Sequence, residues 1–212
     1  MEQEILTLKE RLECIVDQSY NILCQQIAKG RFTVNNEASF QLQFAVILKS
    51  VGQLYEFDQN DRFFVELEEN INLKTKTCKS ANKRARCDIW LSITSSYNRS
   101  AECSIELKCF RKSKWETTTD NRFSILKDIE NLEHYHNQNN NLICYEIVYT
   151  NNSGYANEKS SSYLTIGNGC ECSGVIISNN RTVTLQDKYI FTWDEYLNNK
   201  KKGHFFLKLK IG

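Results

Sequence analysis

Three charged residues on two otherwise apolar segments carry the clearest potential for chemistry. Asp88 lies in residues 86–93 and Glu106 and Lys108 lie in residues 101–110, and in both segments apolar and polar residues alternate. A period of two predicts strands with two different faces, so Glu106 and Lys108 point to the same side. A polar, turn-like segment joins the two strands, which predicts an antiparallel hairpin.

The register of this hairpin decides whether the three charges meet. If Asp88 lies opposite Glu106 or Lys108, all three share one face, whereas a shift of one residue would send Asp88 to the other face. Two neighbouring carboxylates offer the hard oxygen ligands that Mg²⁺ and Mn²⁺ prefer. A lysine beside them can position an attacking water or stabilise charge that develops on a phosphate. The alternative is an ordinary cross-strand ion pair.

The elements around the hairpin are predicted from the same periodicities. Helical spacing covers residues 2–29, and either a dimerisation helix or packing against the domain's own sheet explains it; Ser19 and Gln26 in the apolar seam favour the second. The segments from residue 37 onward give the order helix, strand, Asp88 strand, Glu106 strand, helix and strand. Outside the hairpin, they are helices over residues 37–50 and 121–136 and strands near residues 63–68 and 142–149.

This order and these charged residues together resemble the PD-(D/E)xK nuclease superfamily. Asp88 matches the first acid of the motif, Glu106 the second acid and Lys108 the lysine, while Cys87 stands where the family often has proline. The resemblance implies an α/β fold with a restriction-endonuclease-like α-β-β-β-α-β core, a central mixed sheet flanked by helices and a β-rich C-terminal extension. We expect a single nuclease domain over residues 1–212, with an N-terminal helix in 1–30, the catalytic core in 31–150 and the extension in 151–212.

The resemblance also implies a function. It is that of a divalent-metal-dependent endonuclease, most like a type II restriction enzyme, which leaves a 5′-phosphate and a 3′-hydroxyl. Asp88, Glu106 and the backbone carbonyl of Leu107 would bind one or two Mg²⁺ ions, with Mn²⁺ as a possible substitute. Lys108 would position or help deprotonate the attacking water, and Glu37, in the first turn of its helix, would complete the metal site. An acid in a first helical turn is also explained by the helix dipole alone.

Cationic segments flank the hairpin on both sides. Residues 74–86 contain six lysines and arginines and no acid, and further cations follow Lys108. Such a segment is often only a solvated loop, but next to the acids it predicts contacts with the phosphates of double-stranded DNA. Cleavage of both strands at a palindrome would require a homodimer. The candidate DNA-binding residues are Lys79, Lys83, Arg84, Arg86, Arg111, Lys112 and Lys114.

Other functions fit the same residues. A repair or junction nuclease, or a nuclease that acts on RNA, would keep the site and change the substrate. A non-catalytic nucleic-acid-binding module would use the three charges only as a structural ion-pair network. The formal net charge of +1 does not discriminate, because it predicts nothing about nucleic acid.

Composition indicates a reduced, soluble protein. The nine cysteines are odd in number and form no C-x-x-C pair, which favours free thiols and a cytoplasmic location. The Cys170 and Cys172 pair has no convincing partner pair for zinc. No signal peptide and no segment long enough to span a membrane is predicted, so we expect no membrane partner.

The C-terminal third is predicted to be rich in strands. Strand-like runs occur at residues 163–166, 174–178, 188–192 and 205–211, and residues 193–197 are predicted to begin a short helix. Polar loops in this part can reach a groove of DNA or can be ordinary surface.

Overall fold

Side-chain caps fix where the first two helices begin. In the computed structural model, which describes residues 6–72, 84–96, 99–112, 118–157 and 164–212, Thr7 and Glu10 form a capping box at the start of α1. Asn36 accepts a hydrogen bond from the amide of Ser39 and so caps α2. The helices are α1 (Leu8–Ala28), α2 (Glu37–Gln53), α3 (Thr118–Gln138) and the short α4 (Ser153–Ala156).

Six of the strands form one mixed central sheet. Its order is β1-β2-β3-β4-β8-β7, in which β3 and β4 are parallel and all other neighbours are antiparallel. Helix α3 makes the crossover between the two parallel strands, as a parallel pair requires. The strands are β1 (Arg62–Asn72), β2 (Arg84–Ser95), β3 (Arg99–Phe110), β4 (Leu142–Thr150), β5 (Glu171–Ser178), β6 (Arg181–Ile190), β7 (Trp193–Leu197) and β8 (Gly203–Ile211); β5 and β6 form a separate ribbon.

Helices cover both faces of the sheet. Helices α1 and α2 pack on one face, over a core that includes Ile89, Ile105 and Leu107. Helix α3 and the β5–β6 ribbon lie on the other face, over a core that includes Cys144 and Val148. Because period-two alternation places neighbouring residues on opposite faces, each central strand contributes to both cores.

The predicted α/β class is confirmed. The structure is α/β, with a mixed sheet flanked by helices, and residues 37–150 follow the predicted order of helices and strands. The interpretation of the first helix as packing on the domain's own sheet is also confirmed, since Leu12, Ile15 and Leu23 of α1 are fully buried within the chain.

The C-terminal third departs from the prediction. Residues 193–197 are strand β7, so the expected short helix is wrong, and residues 164–166 form no strand. Five residues are too few for periodicity to separate helix from strand, and hydrogen bonding to β8 decides the outcome. Strands β7 and β8 extend the central sheet beside β4, whose nine residues are all buried.

The structure also bears on two expectations from composition, the state of the cysteines and the membrane-spanning segments. The eight cysteines in the described ranges are thiols and not disulfides, which agrees with the prediction. No helix in the described residues is long and apolar enough to cross a membrane.

Asp61 forms a buried ion pair that supports this fold. Its carboxylate is fully buried, accepts a hydrogen bond from Arg11 at 2.7 Å and accepts two more from the amides of Phe57 and Asp58. Burial raises the pKa of Asp61, whereas hydrogen bonds from Ser95 and Asp58 and the charge of Arg11 lower it. The lowering effects are larger together, so the pKa lies below its ordinary value of 3.8. The ionised carboxylate therefore stabilises the fold at neutral pH.

We expect the Asp61→Ala substitution to lower the free energy of unfolding at pH 7 by about 3 kcal/mol, because it leaves the Arg11 charge buried without its partner. The difference in unfolding free energy between wild type and variant should become smaller as the pH falls below 4, since the wild type then loses the contribution of the ionised carboxylate. Urea unfolding at pH 7 and pH 3 measures both values. As a control, Glu171→Ala removes the exposed partner of Lys188 and should cost less than about 1 kcal/mol; equal losses in the two variants would contradict the assignment.

Candidate active site

Strands β2 and β3 stop pairing with each other at the three charged residues. Their pairing runs from Ser95↔Arg99 to Ile89↔Ile105, and beyond Ile89 strand β2 continues to pair with β1 alone. Strand β3 meanwhile stays paired with β4 as far as Phe110. Each strand thus follows its outer neighbour, and the hairpin opens where Asp88 and Glu106 would otherwise be the next pair.

The Asp88 carboxylate occupies the start of this opening. Its Oδ2 accepts a hydrogen bond of 2.6 Å from the backbone amide of Leu107. The side chain thereby satisfies a strand amide on β3 that is turned toward the departing strand β2. The antiparallel hairpin and the register Ile89↔Ile105 place Asp88 on the same face as Glu106 and Lys108, as the sequence requires for a shared site.

Lys108 is surrounded by carboxylates from three other elements. Its Nζ lies 2.6 Å from Asp128 Oδ2 on α3 and 3.7 Å from Glu37 Oε2 at the start of α2, and it donates a 3.0 Å hydrogen bond to the carbonyl of Leu107. Glu146 on β4 adds its charge. Burial lowers the pKa of Lys108, but the attraction of Asp128, Glu146 and Glu37 outweighs it and raises the pKa above the ordinary value, so the amine is an ammonium ion at neutral pH.

The face that carries the charges is covered. Glu106 is fully buried, and its register partner on β4 is Glu146, which is also fully buried. Only 14% of the Lys108 side chain is exposed, whereas 46% of the Glu37 side chain is. Both faces of β3 are therefore buried at Ser104 and Glu106, because α3 packs over the polar one.

The sequence patterns did not identify two of the carboxylates at the site. Asp128 lies between Ile125 and Leu132 at helical spacing on the buried side of α3, and Glu146 is the one charged residue in the apolar strand 142–149. A charge on an apolar stripe or inside a strand buried on both faces is costly unless something compensates it. That cost is the signal that could have found both residues.

Two cysteines lie close to the charged residues. Burial raises the pKa of Cys87 to about 12, and the nearby carboxylates of Glu106 and Asp88 contribute. Burial likewise raises the pKa of Cys109 to about 12, with a contribution from Glu37. Both remain protonated thiols at neutral pH, so neither serves as a thiolate nucleophile.

The predicted cationic flanks are described only in part. Lys79, Lys83 and Lys114 lie outside the described residues, and Arg84 begins β2. Arg86 is exposed and its guanidinium is 3.3 Å from Glu68 on the edge strand β1. The remaining two cations, Arg111 and Lys112, are exposed and directly follow β3.

The donor chemistry of the site suits a hard divalent cation. Asp88, Glu106 and the Leu107 carbonyl supply oxygen atoms at the opening between β2 and β3. Within the described ranges, no three acidic, histidine or cysteine side chains form a ready-made metal site. Mg²⁺ does not require one, because it is usually bound by one or two carboxylates together with waters and substrate phosphates. The residues present therefore fit this cation.

Comparison of the chain with protein-family models, with curated proteins and with solved structures gives no match.

We expect Lys108→Met to lower the free energy of unfolding by about 3 kcal/mol at pH 7, because it leaves buried carboxylates without the ammonium that compensates them. Chemical unfolding at pH 7 measures the loss. Lys188→Met, which removes an exposed lysine, serves as control and should cost less than about 1 kcal/mol. A loss from Lys108→Met no larger than that of the control would argue against the carboxylate cluster.

Proposed function

We propose that this protein is a divalent-metal-dependent endonuclease that hydrolyses DNA phosphodiester bonds, with the core fold of restriction endonucleases. The observation that supports it most is the opening of the β2–β3 hairpin at Asp88, with Glu106 and Lys108 on the same face. A sequence-specific enzyme of the type II restriction class is the form we favour. If it cuts palindromic duplexes, it acts as a homodimer.

The side chains divide into metal-binding and charge-stabilising groups. Asp88, Glu106 and the Leu107 carbonyl would hold Mg²⁺ or Mn²⁺. Such an ion, when bound, supplies Lewis-acid stabilisation of the phosphate and lowers the pKa of a coordinated water. The carboxylate of Glu37 is 3.7 Å from the ammonium of Lys108 and can orient it. Because 46% of the Glu37 side chain is exposed, Glu37 can also contact the substrate.

Lys108 acts as a hydrogen-bond donor rather than as a base. Its surroundings raise its pKa, so it carries its proton at neutral pH and has no lone pair to offer. It would orient the attacking water and neutralise charge on a non-bridging phosphate oxygen. A carboxylate of the site then accepts the water proton. The water oxygen bonds to phosphorus as the P–O3′ bond breaks, and the 3′ oxygen takes up a proton from solvent.

A structural ion-pair network is the second candidate role. The 2.6 Å contact between Lys108 and Asp128 favours it, since this pair alone would justify a lysine on a buried face. In that case the protein would bind nucleic acid or another partner without cleaving it. Activity measurements separate the two roles.

We expect the purified protein to cleave supercoiled plasmid in the presence of Mg²⁺ and to be inactive in EDTA. Asp88→Ala and Lys108→Ala should each reduce the rate by at least about 100-fold, because each removes a group that acts in the transition state. Agarose gels of a time course measure this. Discrete bands indicate a sequence-specific enzyme, whereas a smear, or a preference for RNA, indicates another nuclease.

Glu66→Gln is the matched control for the acidic residues, because Glu66 is an exposed carboxylate on the neighbouring edge strand. It should cleave at the wild-type rate. Variants that remain folded by circular dichroism and cleave as fast as wild type would eliminate the proposed site. A wild-type protein without cleavage of DNA or RNA would leave the structural network as the role of these charges.

Mg²⁺ should also stabilise the folded protein if the carboxylates bind it. At a free concentration ten times the dissociation constant, the expected gain is about 1.4 kcal/mol, which raises the melting temperature by a few degrees. Thermal unfolding with and without Mg²⁺ measures the shift. Glu106→Gln should abolish it, while Glu66→Gln should keep it; a shift that survives in Glu106→Gln would place the cation elsewhere.

A further inference from the structure

A groove at the end of the sheet is lined by cations and contains no acid among its described residues. Its volume is about 400 Å³, and its walls come from the end of α1, the segment before α2, the ends of β3 and β4, and the β7–β8 turn. The chain as a whole has 27 lysines and arginines and 26 acids, so a groove without acids is a local separation of charge. The cations that line it are Lys29, Arg111, Lys200 and Lys202.

The β7–β8 turn holds its lysines in a fixed arrangement. The side-chain oxygen of Asn198 accepts hydrogen bonds of 2.9 Å from the amides of both Lys200 and Lys202. The backbone closes the turn through Asn198 and Lys202, and Lys201 adopts a left-handed conformation with φ 56°. Because the backbone is already ordered, placing these ammonium groups on a ligand costs less conformational entropy than ordering a free loop.

The other walls of the groove are also tied to the sheet. Arg111 donates a 2.9 Å hydrogen bond to the side-chain oxygen of Asn35, just before α2. Tyr149 on β4 is hydrogen-bonded to His204 on β8 at 3.0 Å, which joins the turn to the centre of the sheet. The amide of Lys112 donates to the side-chain oxygen of Asn151 at 2.7 Å. The groove is thus built on rigid elements.

One wall of the groove begins where β3 ends, three residues beyond Lys108 along the chain. Arg111 comes three residues after Lys108, which is roughly 10 Å along an extended strand. Its partner Asn35 comes two residues before Glu37. Phosphates along one DNA strand are about 3.4 Å apart in projection on the helix axis, so 10 Å corresponds to roughly three nucleotides. The groove lies on the α1 and α2 side of the sheet, so a backbone at Lys108 reaches it by passing around the end of β3, where Glu37 of α2 meets Lys108.

We propose that this groove and the β7–β8 turn bind the phosphate backbone of duplex DNA to one side of the scissile bond, with Lys200, Lys202 and Arg111 as the contacts. The inference rests on the proposed nuclease function for its choice of ligand. It assigns to the C-terminal strands a sequence-independent role in positioning the duplex, since lysines on phosphates carry no base information.

Fluorescence anisotropy with a labelled 30-base-pair duplex, in EDTA and at several salt concentrations, tests this assignment. The double variant Lys200→Gln/Lys202→Gln should bind on the order of tenfold more weakly, and the slope of log K against log salt should decrease by about two. The control Lys9→Gln/Arg99→Gln removes two exposed charges at the start of α1 and at the start of β3, away from the groove. It should bind like wild type.

Cleavage measured beside binding distinguishes the two proposals. With Mg²⁺, the cleavage activity of the turn variant at low protein concentration should decrease in proportion to its affinity for the duplex. A turn variant that binds as tightly as wild type, or a control pair that weakens binding equally, overturns the groove assignment and leaves the nuclease proposal intact. Duplex binding that depends on the turn in a protein without nuclease activity supports the groove and overturns the proposed chemistry. A wild type that does not bind duplex at 50 mM salt overturns the groove assignment.

Discussion

The buried ammonium of Lys108 is the interaction on which the arrangement of this site depends. It attracts carboxylates from α2, α3 and β4, so that three elements besides β3 converge on one positive charge. Carboxylates placed together in a low-dielectric environment repel one another unless a cation lies among them. Lys108 therefore lets the protein keep a high density of oxygen donors in a folded core. The same attraction raises the pKa of Lys108 and assigns it the role of a charged donor.

The opening of the β2–β3 hairpin provides the second constraint. Strand β2 remains with β1 and strand β3 with β4, so their amides and carbonyls diverge at Asp88 and Leu107. Asp88 takes the free amide and Lys108 takes the free carbonyl. Backbone groups that a continuous sheet would use for pairing thus hold these two side chains at the opening, near the partly exposed Glu37. Sheet edges and successive backbone amides form concavities that bind anions such as phosphate.

The rest of the fold orients the surroundings of this opening. Helix α1 packs against α2 on the same face of the sheet, and α2 carries Glu37 to the end of β3. Strands β7 and β8 cover what would otherwise be the free edge of β4, and their turn brings lysines to the same end of the sheet as Lys108. An element that completes the sheet thereby also shapes the charge beside the candidate site.

The amino-acid sequence by itself determined the α/β class, the order of elements from α2 to β4, and the grouping of Glu106 with Lys108 on one face, because hydrophobic periodicity is a local property of the chain. Tertiary structure alone decided the register that brings Asp88 to that face and the contacts of Asp128 and Glu146 with the site, since these depend on which strands and helices become neighbours. It also decided that residues 193–197 form a strand, because hydrogen bonding to β8 outweighs the weak local preference of so short a segment.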